Sequence, residues 1–515
     1  MMRMEVRVAR RSVAGIGLWM ATAMACAAAL PGQPLRQAAF GDPSLDSARR
    51  AKAVLDAGIA ALGGLPAIQG IERFSLTERG TQGQIGQGMT PAAPFPAIAI
   101  EDITHFDRRR RRVYLDLSRQ YSWGPFEQVG FVDGTEGFTL DSRARWARPI
   151  AAADQQAYYD RARRLPQLVL LAALERAHSL RDVGEASFER RPHRVVSADL
   201  GANQVFNLYF DRATNLLTKM QYLYPDSLFG DALDETIFSG YRPLNGFTVP
   251  GARLVRRAGH EADKVEYVTL TINQEVDDAM FAVPAGYRIQ PAEVRPRHAV
   301  TRLAKDVYVL QQVNGLNSNV SFVAFNDYIL VVEAPDERIE RGLSDSVIQT
   351  IRETVPNKPI RYVVPTHHHV DHGVGLRSYI AEGTTVVTTP GNGAFVRHLA
   401  GLRFAIRPDA LTLRPRAPAI ETIDDRQRTF RDDAHVVELH DVGPESHVQE
   451  NLAAWLPNER ILIIGDLYES GYAETVTWDG KGNLGDILSR HKWNVETVVS
   501  SHSRPRHLAD LRPPS

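Results

Sequence analysis

The sequence predicts an α/β protein in two parts: a C-terminal region of layered sheets and helices, residues 300–515, preceded by a mainly antiparallel β region with helices, residues 45–290. Three observations predict it. At 515 residues the chain is too long for one ordinary domain, given roughly 150 residues per domain. From Ile71 to about Val283, short alternating apolar runs are separated by turn residues, as in antiparallel strands. From Val300 the pattern becomes strand, strand, helix, strand, which implies sheets covered by helices.

Composition narrows the function. Hydrophobic residues at 43% and charged residues at 23% describe a folded chain. Sixty Lys plus Arg against 61 Asp plus Glu leave a net charge of −1, which provides no field to recruit nucleic acid and favours a small-molecule substrate. At the start, Arg3, Arg7, Arg10 and Arg11 precede a small and apolar run over residues 12–30, broken by Pro31 and Gly32. This reads as a signal peptide over residues 1–30 and predicts a periplasmic or secreted protein. The one cysteine, Cys26, lies in this segment, either as a passive apolar member or as the lipidated first residue of a mature lipoprotein. A mature chain without cysteine suits an oxidising compartment.

In the β region, Val54, Leu55, Ile59 and Leu62 share one face of a helix that Gly63 and Gly64 stop. Strand-like runs come after it at 113–115, 206–210, 216–223 and 267–272, with a helical insertion at about 153–177 broken at Pro166. Asn245-Gly246 predicts a tight hairpin, because both central positions of such a turn need positive φ. The five arginines Arg108, Arg109, Arg110, Arg111 and Arg112 read as a solvated hairpin end; the alternative is contact with anionic headgroups at a membrane surface. The glycine helix ending, the strand series and the 241–250 hairpin resemble the half-barrel domains of periplasmic lipoprotein-sorting proteins, over about residues 45–288. Pro291 and Pro296 mark a short linker, so the β region is expected to pack on the C-terminal region and shape access to the site it carries.

Chemistry concentrates after the apolar segment 362–364, where the chain reads His367-His368-His369-Val370-Asp371-His372-Gly373. Imidazole nitrogen and carboxylate oxygen suit zinc and related divalent cations such as iron or manganese. In the register H-x-H-x-D-H, His367 and His369 can grip one ion while Asp371 and His372 face a second.

This loop resembles the signature of the metallo-β-lactamase superfamily, and later motifs keep that superfamily's order: Gly443-Pro444-Glu445-Ser446-His447, the apolar 461–464 run ending in Gly465-Asp466, and Val498-Val499-Ser500-Ser501-His502. The resemblance implies an αββα sandwich over about residues 300–505. It makes His447 the third ligand of the first metal, Asp466 the bridge between the two, and His502 the last ligand of the second. Ser446, where many relatives have Gly, implies a reshaped loop. Asp466 in place of the cysteine of one β-lactamase group points to the esterase, thioesterase and lactonase branches. His368, His398, His440 and His507 fit no ligand position.

In such a site two cations roughly 3.5–4 Å apart share a water whose pKa falls from about 15.7 to near 7. The resulting metal-bridging hydroxide attacks an ester, lactone, thioester or amide. Asp371 can steer the water proton, and Tyr468 is a candidate donor to the developing oxyanion. Two other readings stay open: an iron-dependent oxidoreductase on the same fold, such as a persulfide dioxygenase, and a lipid-binding carrier without turnover. Selectivity is expected in loops such as residues 401–431 and in what the β region contributes.

Overall fold

Among the described residues, strand pairing groups the strands of the chain into four sheets. The computed structural model describes residues 42–511 except 122–123, 143–144, 153, 202–203, 291–297, 312, 314–317, 337–341, 424 and 469–481. The expected signal peptide, Cys26 and the linker prolines Pro291 and Pro296 lie outside the described residues.

The first region builds one 14-stranded sheet. Its pairings are antiparallel apart from that of Arg288–Ile289 with Trp146–Pro149. At its centre Arg73–Gly83 pairs with Ala97–Asp107 on one side and His260–Ile272 on the other, so the first long strand of the region meets its last. The predicted hairpin is present: Asn245 has φ 47° and Gly246 φ 85°, and they join Arg242–Leu244 to Phe247–Val249.

Helix Pro43–Ala61 buries Val54, Leu55 and Ile59. Together with helix Pro166–Glu175, which Pro166 opens from its first turn, this face packs on Phe74, Phe206 and Phe210 of the sheet. Charges are buried there too. Glu78 lies between Arg164 and Arg253, and Asp102 meets Arg119 at 2.5 Å and Arg161 at 3.0 Å. The arginine run is a hairpin end. Arg108 donates to the carbonyls of Ile71 and Gln69, Arg109 pairs with Glu72, and Arg110 and Arg112 both reach Asp278, while Arg111 turns the chain at φ 55°.

The second region contains a seven-stranded and a six-stranded sheet. Their facing sides share a core that includes Leu330, Val332 and Val364 from one sheet and Leu439, Ile461 and Ile463 from the other. Alternate residues of the same strands point outward: Ile329 and Val331 pack under helices Leu343–Thr354, Leu376–Glu382 and Asn392–Gly401, and Leu462 and Ile464 under Gly482–His491. That is why these strands read as continuous apolar runs rather than as alternation. Within residues 401–431, expected as a loop, the chain instead forms helix Ala410–Leu413 and strands Ile420–Thr422 and Gln427–Arg431, which pair with Thr385–Thr388 and Val436–Asp441. Both strands are short and half-polar, so no apolar run marked them.

The first region rests on the helical face of the second. Ile85 and Leu228 enter the same core as Val374 and Phe395. The carbonyl of Leu228 accepts a hydrogen bond from His398 Nε2 at 2.8 Å, and Asp231 N donates to Arg403 O at 3.1 Å.

Candidate metal centre

Strand Ile360–Val364 ends inside the sandwich and delivers Thr366 and the histidines to its edge. The chain then turns into the short helix Val370–Gly373, held by His372 N donating to His369 O at 3.0 Å. Strand Ile461–Ile464 delivers Asp466 alongside. Its Gly465 admits the approach, since a Cβ there would lie 2.5 Å from Thr366 Oγ1. His447 comes from the loop before strand Leu452–Leu456, which is fastened by Leu452 N donating to Thr366 O at 2.8 Å. His502 comes after strand Thr497–Ser500, and its loop is held by Asn319, whose amide donates to the carbonyls of Ser500 and Ser503.

All seven residues singled out in the sequence as ligands converge in two groups: His367, His369, His447 and Asp466, and Asp371, His372 and His502. Asp466 joins them. Its Oδ2 lies 3.1 Å from both His447 Nε2 and His372 Nε2, and its Oδ1 lies 3.2 Å from His502 Nε2. Asp371 Oδ2 is 3.2 Å from His502 Nε2 and 3.7 Å from His372 Nε2.

The orientation of each ring matters more than its proximity. Thr366 Oγ1 donates to Glu333 Oε1 at 2.7 Å, so its oxygen is left to accept from His367 Nδ1 at 3.1 Å. His372 Nδ1 meets Glu333 Oε1 at 3.0 Å. His369 is anchored through the opposite nitrogen, Nε2, which donates to the carbonyl of Gly88 at 2.9 Å. Each anchor takes the N–H and turns the other nitrogen inward. Four of these inward atoms, His367 Nε2, His369 Nδ1, His447 Nε2 and Asp466 Oδ1, are buried and, despite the 3.1 and 3.2 Å approaches given above, make no well-directed hydrogen bond among the described residues. Buried polar atoms are normally satisfied, so four orphaned acceptors converging on one place fit a cation.

Electrostatics agree. Burial, reinforced by His372 and the other imidazoles, holds His367 well below the ordinary histidine range, and burial with His447 takes His369 down to about 3. Burial also disfavours charge on His372 and His502. Asp466, Glu333 and Asp371 outweigh it on His372, which is raised well above its ordinary value; Asp371 and Asp466 raise His502 to about 10. Asp466 is held far below the usual carboxylate range against its own burial, chiefly by His372. An enclosed carboxylate kept anionic calls for positive charge beside it.

Glu333 is a member of the site that no sequence motif marked. Its carboxylate accepts from Thr366, His372 and, at 2.8 Å, Ser501 Oγ, which ties both histidine loops to one group. Glu333 also has φ 82°, a backbone state costly for a side-chain-bearing residue and tolerated where surroundings fix it. A signal was present: an acid directly after an apolar strand, the same pattern that marked Asp466. Of the histidines set aside, His368 is buried with Nε2 3.0 Å from Gly88 O, and His440 packs with His491 and Trp493. Tyr468 packs against the cluster of Val442, Leu467 and Leu484.

This arrangement of two stacked sheets with an H-x-H-x-D-H loop at their edge is that of a metal-binding hydrolase-type fold. Residues 331–502 match the model of the metallo-β-lactamase superfamily, and this part of the chain is a domain of that superfamily. Among solved structures the chain is similar to a metallo-β-lactamase from Pontibacter korlensis, with 18% identity and a TM-score of 0.31 over 42% of this chain and 95% of that one. It is similar to the DIM-1 metallo-β-lactamase at 20% identity and a TM-score of 0.31, over 42% of this chain and 94% of that one. The mono-zinc form of FIM-1 from Pseudomonas aeruginosa gives 17% identity and a TM-score of 0.31, over 42% and 91%. No curated protein matches the chain.

Proposed function

We propose that the protein is an exported, dinuclear metal-dependent hydrolase that cleaves an ester, lactone, thioester or amide bond. The observation that carries this reading is the set of orphaned inward atoms of His367, His369, His447 and Asp466, with the His367 and His369 rings oriented by separate anchors. His367, His369 and His447 would hold one cation, Asp371, His372 and His502 a second, with Asp466 between them. Two divalent cations, zinc first and iron or manganese as alternatives, would activate a shared water and polarise a carbonyl. The protein's own groups supply the rest. Glu333 fixes the imidazoles, Asp371 receives the proton of the attacking water, and Tyr468 is our candidate donor to the oxyanion.

Export rests on the arginine-rich start and the apolar run at 12–30. We read the 14-stranded sheet as a half-barrel that serves as a scaffold over the centre. In support, its helix-covered side is filled by Leu168, Leu171 and the Glu78 ion cluster.

The test is metal analysis of the purified full chain with a panel of ester, lactone, thioester and β-lactam substrates. About two divalent ions per chain are expected, together with hydrolysis that chelation abolishes and added metal restores. One iron per chain with oxidation of a persulfide would replace this reading with the oxidoreductase. Co-purified lipid with no hydrolysis of the panel would replace it with the carrier.

A further inference from the structure

The connection between strands Arg73–Gly83 and Ala97–Asp107, residues 84–96, reaches out of the 14-stranded sheet to the metal centre. Its base is closed by Gln84 N donating to Pro96 O at 2.8 Å, and a turn forms where Gln87 N donates to Gln84 O at 3.0 Å. Ile85 anchors the turn in the core shared with Phe395. At Gly86, φ is +79° and a Cβ would stand 2.6 Å from Val370 Cγ1, so the backbone passes against the metal loop where a side chain would not fit.

The next three residues each fasten a different part of the site. Gln87 Nε2 donates to Asp371 Oδ1 at 3.0 Å, across 284 positions of sequence. The carbonyl of Gly88 accepts from His369 Nε2 at 2.9 Å and His368 Nε2 at 3.0 Å. Met89 O accepts from Gln449 N at 2.9 Å, two residues beyond His447.

We propose that Gln87 and Gly88 are positioning residues of the metal centre, supplied by the β region rather than by the sandwich. The inference rests on the ligand assignment above. A neutral imidazole that offers one nitrogen to a cation carries its proton on the other, and a partner for that N–H fixes the tautomer and ring orientation; for His369 that partner is Gly88. A carboxylate can rotate about its Cβ–Cγ bond. With Oδ1 taken by the Gln87 amide, Asp371 keeps Oδ2 toward His502 and His372. A neutral amide suits this position, because a lysine would compete with the cation and a glutamate would repel Asp371. The loop from the β region thus orients one ligand of each metal site, His369 of the first and Asp371 of the second.

The experiment uses the full-length chain and its Gln87→Met variant, which keeps length and packing but removes the amide donor. Both are stripped with a chelator and reloaded. Zinc affinity is read by competition with a chromophoric chelator, and site geometry by the visible spectrum of the cobalt(II)-loaded protein. The expected result is an unchanged circular dichroism spectrum, a zinc affinity weakened about 10–100-fold at one of two sites, and an altered cobalt spectrum. Equal affinities and superimposable cobalt spectra would overturn the inference while leaving the proposed function intact. A wild-type chain that takes up no divalent metal would overturn the proposed function, and this inference with it.

Discussion

In the 14-stranded sheet the side chain of Glu78 is 1% exposed and lies between the guanidiniums of Arg164 and Arg253; in the sandwich the side chain of Asp466 is 6% exposed and lies among His372, His447 and His502. Each carboxylate is enclosed and each is kept anionic. The difference is in the partners. The arginines around Glu78 are permanent cations whose charge is complete within the fold. At the metal centre the rings of His367 and His369 are anchored so that nitrogen lone pairs, not protons, are aimed inward. Buried charge is expensive in both places, and the partners tell whether the compensation is structural or awaits an ion.

Four expected outcomes separate the structural carboxylate from the ion-binding one. The largest effect belongs to the bridge and its neighbour. Asp466→Ala is expected to lose metal and most turnover, and Asp371→Asn to lower turnover by about 10²–10⁴-fold while keeping part of its metal. Steady-state hydrolysis and elemental analysis on the same preparations read both. Full activity in Asp466→Ala would mean that the carboxylate is structural after all.

Glu78→Gln should act on stability instead, by about 3–5 kcal/mol, because Arg164 and Arg253 each lose the nearer of two carboxylates and keep only Asp102 at 3.4 Å and Asp263 at 3.5 Å. Metal per folded chain should not change. The pH dependence has a definite sign. Burial raises the Glu78 carboxyl, but Arg164 and Arg253 prevail and hold it at about 2, below the ordinary 4.5. Its stabilisation is therefore complete above pH 4.5 and is lost as pH falls from there toward about 2. Denaturant titrations of the two proteins across that range should converge at the acid end; a gap that stays constant down to about pH 2 would contradict the ion-pair account.

Glu333→Gln keeps the shape of the anchor but not its charge. A zinc affinity lower by about 10–100-fold is expected, measured by chelator competition. Smallest is His368→Ala, which removes one hydrogen bond to Gly88 and should cost about 1 kcal/mol of stability with metal retained. If it lost as much metal as His367→Ala, the ligand register would be wrong.

Much of this was legible in the sequence because the chemistry is local to strand ends. His367, His369, Asp371 and His372 share one loop, and Asp466 and His502 each come after an apolar run that buries on both faces. The Asn245-Gly246 hairpin was legible for an equally local reason, the positive φ that its turn requires. Glu333 was hidden because one acid after a strand has no spacing to a second ligand; only the folded sheet brings it beneath Thr366, His372 and Ser501. Gln87 and Gly88 were hidden more deeply, since a backbone carbonyl and a lone amide carry no motif. The strands within 401–431 were missed because sheet edges tolerate polar residues.

On the proposed function, the orphaned atoms of His367, His369, His447 and Asp466 belong to cations. The most direct test is elemental analysis of the full-length protein beside His367→Ala and His502→Ala, purified without chelator. About two divalent ions per wild-type chain are expected, with each variant depleted mainly at its own site. A folded wild-type protein that neither retains nor takes up divalent metal at neutral pH would contradict it.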